Sequence, residues 1–290
     1  MPAQNDNIQG KVCMVTGATR GIGFETALGM AELGAEVILV GHNQERGEKA
    51  REKINRYAGR DATVFFRADL SSMEAIDRLA QEVKARYDRL DVLVNNAGAM
   101  FMQRKESADG YEMTFALNHL NYFRTTLLLL DLLRKSDAAR IVVVSSNSHR
   151  NARLNFDDLQ LENGYGPLDA YGKSKLANLL FTYELDRRLS GSGITVNALH
   201  PGFVGTNFGM QTWYMRPFMW GMHLLFGRSP EEGAETPIYL AASPEVEGVS
   251  GRYFIDKKQV ESSEVSYNRQ DAERLWEISK KLCGLEDFKV

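Results

Sequence analysis

The 290-residue chain is 43% hydrophobic and 25% charged, a composition that builds a large core without disulfide or metal staples. Its net charge of −3, from 35 basic and 38 acidic residues, comes with no basic stripe interleaved with aromatics, which excludes nucleic acid as the expected partner. Cys13 and Cys283 are the two cysteines and stand near opposite ends, so neither a disulfide framework nor a metal site is expected.

Residues 1–9 are polar, and no apolar run reaches the roughly eighteen residues of a spanning helix. The cytoplasm is therefore the expected compartment. Runs rich in Val, Ile and Leu at 11–16, 36–40, 63–67, 92–95, 140–145, 194–199 and 252–255 predict strands buried on both faces. Cys13 falls inside the first of them and is expected to pack as a small hydrophobe. Helical patterns lie between them, at 44–57, 72–87, 110–134 and 170–189; in the last, Leu176, Leu179, Leu180 and Tyr183 share one face. Such alternation predicts a doubly wound α/β (Rossmann) fold, a seven-stranded parallel sheet with helices on both faces. With no Pro-, Gly- or Ser-rich linker and no repeat, residues 1–290 read as one domain.

After the first strand comes Thr16-Gly17-Ala18-Thr19-Arg20-Gly21-Ile22-Gly23, which opens a helix. Glycines there allow close approaches that a Cβ would block, and a helix N-terminus offers N–H groups and a positive dipole end to a pyrophosphate. The spacing is G-x-x-x-G-x-G rather than G-x-G-x-x-G. A plain strand–helix turn is the other reading, which the loop's place between an apolar strand and a helix disfavours; methyltransferases also bind a nucleotide at such a place, so the loop does not identify the cofactor.

With that loop, Asn95-Asn96-Ala97-Gly98, and Tyr171-Gly172-Lys173-Ser174-Lys175 in order, the chain resembles the short-chain dehydrogenase/reductase family over about 10–282. Within it the chain is similar to the retinol-dehydrogenase-like branch. The marks are Asn118-His119-Leu120, Asn155-Phe156-Asp157-Asp158-Leu159, the run from Lys173 to Asn178, His200-Pro201-Gly202, the run from Ser250 to Phe254, and the run from Ala272 to Trp276. The resemblance implies the seven-stranded sheet. It implies a cofactor site of Gly17, Thr19, Arg20, Gly21, Ile22 and Gly23 at the pyrophosphate, and of Asp69, beside Leu70, at the adenine amine. It places Asn96, Ala97 and Gly98 along the adenosine, with Asn95 steadying the central strand. Pro201, Gly202, Val204 and Thr206 are implied around the nicotinamide carboxamide. Asp69 also reads as a cap for the helix starting near Ser71.

The same resemblance makes Asn118, Ser146, Tyr171 and Lys175 the catalytic set. Tyr171 and Lys175 are four apart and so share one side of a helix. A nearby ammonium, with the oxidised nicotinamide's charge, should draw a tyrosine from its ordinary pKa of about 10 toward neutrality. Lys175 is also implied to hold the nicotinamide ribose. Ser146 would bind the substrate oxygen; Ser145 beside it must point the other way, because strand side chains alternate. Asn118 lies in an apolar helical run, where a buried amide needs a partner, and is implied to anchor a proton-relay water.

The second strand ends at Gly41-His42-Asn43 without the carboxylate that NAD selectivity uses, and Arg20 resembles the basic residue of NADP-preferring members. NADP(H) is therefore expected, with NAD(H) second, because His42 replaces the branch's arginine and grips a phosphate less well. Between Phe208 and Gly227 the aromatic, methionine-rich stretch, within an expected lid at about 203–228, suits an adaptable apolar cavity for a small lipophilic aldehyde, ketone or alcohol. A surface cover for the sheet edge and a peripheral membrane anchor are its other readings. Dimerisation through the helices at 110–134 and 170–189 is implied by analogy, with the stretch from Leu127 to Leu130 suited to it. A nucleotide-sensing protein without catalysis is the alternative to an enzyme.

Overall fold

The computed structural model describes residues 8–202 and 228–290. One sheet runs through them in the order β3-β2-β1-β4-β5-β6-β7-β8. The strands are β1 (Val12–Thr16), β2 (Glu36–Gly41), β3 (Thr63–Arg67), β4 (Val92–Asn95), β5 (Arg140–Val144), β6 (Thr195–His200), β7 (Arg252–Ile255) and β8 (Lys258–Val260). The seven expected strands are present and mutually parallel. Strand order reverses between β1 and β4, and in open α/β sheets ligands bind in the crevice beyond such a switch point.

The far edge corrects the expectation of a wholly parallel sheet. There β8 pairs antiparallel with β7, Tyr253 facing Val260 and Ile255 facing Lys258. Its two-residue turn, Asp256 and Lys257, has φ of 53° and 61°. Both central residues thus take the left-handed region of a tight hairpin, which Asn-Gly would have announced and Asp-Lys does not.

Helices α1 (Gly21–Glu32), α2 (Gln44–Ala58) and α6 (Pro230–Ala242) cover one face; α3 (Met73–Arg86), α4 (113–133) and α5 (Pro167–Arg188) cover the other, with α7 (Arg269–Leu282) packed outside α5. Most begin on a side-chain cap: Asn43 accepts from the Arg46 amide at 2.8 Å, Asn268 from the Asp271 amide at 3.1 Å, and Ser229 and Glu232 form a reciprocal box.

The expected continuous helix over 110–134 is instead broken. It starts after Gly110, because the Glu112 carboxylate accepts the Thr114 and Phe115 amides, each at 2.8 Å. The segment Ala116–Leu120 is a π-turn, with Asn121–Leu128 and Leu130–Leu133 beyond. A π-turn takes in an extra residue and re-aims the side chains on it, often at a functional site.

Ala272, Leu275, Trp276 and Ser279 form the buried stripe of α7 at helical spacing. The Trp276 ring lies edge-on to Phe123 at 4.8 Å and stacked on Phe181 at 6.1 Å. Leu127, Leu129 and Leu130 are buried in the chain's own core, which corrects the idea that they present a dimer face. Cys13 is wholly buried in β1.

Candidate active site

The glycine loop leaves β1 and is braced from below. The Thr16 hydroxyl donates to the Val94 carbonyl and accepts the Asn96 and Ala97 amides at 2.9 and 3.1 Å. The Asn96 side chain donates to the Thr16 carbonyl at 2.7 Å, so its amide supports the loop from beneath. Gly17 has φ of 68°, and a Cβ on it would stand 2.9 Å from the Ala97 Cα. A Cβ on Gly23 would stand 2.4 Å from both the Gly17 carbonyl oxygen and the Asn96 amide nitrogen. Arg20 precedes α1 in extended conformation without a side-chain cap, and no acidic residue lies in the helix's first turn. An uncapped helix start beside a loop with no room for a Cβ at Gly17 or Gly23 fits a dinucleotide pyrophosphate.

Beyond the carboxyl ends of β4 and β5, four side chains converge. Asn118, on the π-turn, makes three hydrogen bonds: Oδ1 accepts the Ala99 amide at 2.8 Å, and Nδ2 donates to the Ala99 carbonyl at 2.9 Å and to Ser174 Oγ at 3.0 Å. Ser174 in turn donates to the Tyr171 carbonyl at 2.7 Å. Gly98 closes the group from above, since a Cβ there would lie 3.0 Å from Asn118 Oδ1 and 3.5 Å from Lys175 Nζ. Lys175 Nζ donates to the Val144 carbonyl at 2.9 Å. The Ser146 and Tyr171 side chains face each other closely enough for their hydroxyls to interact. Ser145 points away and donates to the Lys175 carbonyl at 2.8 Å, as strand alternation requires. Asn95 donates to Thr126 at 2.9 Å, tying β4 to α4.

Burial dominates the electrostatics here. It pushes the Tyr171 hydroxyl up, against the pull of the Ser146 hydroxyl, and brings Lys175 down to about 7. In the protein alone, then, Tyr171 favours its neutral form while Lys175 titrates near neutral pH; the expected shift of Tyr171 toward neutrality draws on the oxidised nicotinamide's charge as well as on Lys175. Desolvating a charge opposes it more strongly than one neighbour at the ring face favours it. A lysine near neutrality beside a tyrosine can hold or pass on a proton at working pH.

At the other rim, Arg46 Nη2 lies 3.1 Å from His42 Nε2. A guanidinium only donates, so the imidazole accepts there and carries its hydrogen on Nδ1. Arg46 was absent from the sequence expectations; its signal is its position one turn into α2, level with His42. Asn43 is occupied as the cap of α2. Asp69 is exposed at the end of β3 and accepts from the Ser71 amide and hydroxyl at 3.0 and 2.7 Å, while Ser72 caps α3. Leu70 and Ala97 are buried beside it in the core. Pro201 and Gly202 follow β6, where Arg228 packs on Gly202 and pairs through two hydrogen bonds with Asp256. Neither Arg228 nor Asp256 was expected. Val204, Thr206 and the aromatic stretch 208–227 lie outside the described residues.

Comparison with known proteins agrees with this geometry. The short chain dehydrogenase family profile matches residues 11–216. Mouse retinol dehydrogenase 14 is 42% identical over 291 residues, covering 96% of this chain and 87% of that protein. Human polyprenol dehydrogenase is 41% identical over 287 residues, covering 97% and 87%. Among solved structures, an uncharacterised Mycobacterium paratuberculosis protein superposes with a TM-score of 0.79 at 30% identity, covering 98% of each chain. A short chain dehydrogenase from Escherichia coli CFT073, complexed with NADPH, gives 0.70 at 26% identity, covering 88% of this chain and 100% of that one. The chain belongs to the short-chain dehydrogenase/reductase family of oxidoreductases. Its place there is the retinol-dehydrogenase-like branch.

Proposed function

We propose that this chain is an NADP(H)-dependent oxidoreductase moving a hydride between the nicotinamide and the carbonyl or carbinol carbon of a small apolar substrate. The observation that carries this reading is the convergence of Asn118, Ser146, Tyr171 and Lys175 beyond β4 and β5, close to an uncapped helix start that suits a pyrophosphate. A bound cofactor would supply the hydride and, when oxidised, a positive charge near the tyrosine. In reduction, the Ser146 hydroxyl holds the substrate oxygen and the Tyr171 hydroxyl delivers its proton to it. Lys175, brought near neutrality by burial, restores that proton and grips the ribose. Asn118 holds Ala99 and Ser174 in place around them.

NADP(H) is favoured because Arg20 and Arg46 stand at the rim where a 2′-phosphate would sit and β2 ends without a carboxylate. The NADPH-complexed E. coli neighbour supports the same choice. An apolar substrate is supported by relatives named for retinol and polyprenol. The test is NADPH binding followed by fluorescence, then NADPH consumption over a panel of aldehydes of increasing chain length. Saturable binding with turnover rising along the series is expected. Binding without turnover on any member would leave a nucleotide-sensing protein instead.

A further inference from the structure

The turn that follows Ser146 is fastened to the last two strands. Within Asn147–Asn151, Arg150 donates to the Glu261 carbonyl at 2.8 Å, and Asn147 accepts from the Tyr253 hydroxyl at 3.2 Å. His149 makes the third link, and it alone also reaches back to Ser146. Its Nδ1 lies 2.6 Å from the Ser146 carbonyl oxygen, and its Nε2 lies 3.0 Å from the Ser263 amide. A carbonyl can only accept and an amide N–H can only donate. The ring is therefore a neutral imidazole with its hydrogen on Nδ1, and the other tautomer would lose both bonds at once. No part of His149 is exposed, and the Tyr253 ring meets it edge-on at 5.2 Å. Burial holds its pKa at about 4, so the neutral form persists at working pH.

We propose that His149 is a positioning residue: by fixing the Ser146 carbonyl it fixes the backbone from which the Ser146 hydroxyl is aimed at Tyr171, and it makes the carboxy-terminal hairpin part of the site's support. This rests on the proposed roles of Ser146 and Tyr171. A serine that must hold a substrate oxygen at hydrogen-bond distance tolerates little error, since a misplacement near 1 Å slows turnover about 10²-fold. Besides facing Tyr171, Ser146 Oγ meets Ser148 of the same turn at 3.2 Å. The turn itself therefore has to be anchored from outside, and His149 is the anchor that touches both ends.

Asparagine and glutamine separate the two bonds. An asparagine amide nitrogen falls near the place of Nδ1 and keeps the side-chain bond to Ser146, whereas a glutamine reaches toward Nε2 and leaves the Ser146 carbonyl only the longer bond from the backbone amide of residue 149, at 3.2 Å. With NADPH and decanal as probes, His149→Asn should keep kcat within ~3-fold of the wild type, while His149→Gln should lose ~10- to 100-fold. NADPH affinity, read by fluorescence titration, should be the same in both. Equal kcat losses, or losses that merely follow the thermal unfolding temperature, would overturn the proposal. An inactive wild type would overturn both this and the reading of the reaction, whereas an active wild type with equal losses removes His149 alone. Nitrogen NMR of histidine-labelled protein gives a readout independent of turnover: a hydrogen on Nδ1 of ring 149 is expected, and one on Nε2 would refute the assignment.

Discussion

Lys175 Nζ lies over the face of the Tyr171 ring, 5.5 Å from its centre, while donating to the Val144 carbonyl. The two side chains leave α5 one turn apart, so the helix itself sets their spacing. Tyr171→Phe keeps the ring under the lysine and removes only the hydroxyl. NADPH binding should be nearly unchanged and turnover should fall ~10²-fold or more. Wild-type turnover in this variant would take Tyr171 out of the proton transfer.

Burial of Lys175 has a consequence for stability. Its folded pKa of about 7 lies below the ordinary 10.5, so between those pH values the unfolded chain binds a proton that the folded chain does not. Stability contributed through this residue therefore rises with pH across that window, by up to about 1.4 kcal/mol per unit, and is lowest below it. Lys175→Met should be more stable than the wild type near neutral pH, with the gap closing as pH rises. Denaturant unfolding of both proteins from pH 7 to 10 measures this, and a pH-independent gap would contradict it.

The Asn118 amide satisfies both backbone groups of Ala99 together with Ser174. Asn118→Ala leaves those groups without their partner in a partly buried place. Each orphaned group is worth roughly 1–3 kcal/mol. A loss of at least about 2 kcal/mol in urea unfolding is expected, and a neutral result would mean that water replaces the amide.

Much of this site is legible in the sequence because the family resemblance marks its residues and local geometry then arranges them. Strand alternation alone separates Ser145 from Ser146, and helical spacing alone brings Tyr171 to Lys175. The stiff apolar strands β1 to β7 likewise announce themselves. What stays hidden depends on contacts distant in the chain. The π-turn at Ala116–Leu120 has no residue pattern of its own, β8 is three residues long, and the bond from His149 to Ser263 spans two separate segments. Arg46 falls between these cases: its place in α2 was legible, but its approach to His42 needed the side chains.

Arg46 and Arg20 should share the reading of a 2′-phosphate. Replacing either with Ala is expected to weaken NADP binding by roughly 1–3 kcal/mol, the scale of a charge-assisted hydrogen bond. NAD binding should change little. Paired titrations of both cofactors check this, and equal weakening of NAD and NADP would assign the arginines to loop support.

The most direct measurement is isotopic. NADPH carrying deuterium at nicotinamide C4, prepared in both stereochemical forms, is incubated with the protein and a long-chain apolar aldehyde, and the alcohol is analysed by mass spectrometry. One of the two forms should place deuterium on the carbinol carbon with the wild type, while Tyr171→Phe, with the same NADPH affinity, should form ~10²-fold less alcohol or lower still. Alcohol free of deuterium from both forms, or no alcohol at all from a protein saturated with NADPH, would contradict hydride transfer at this site.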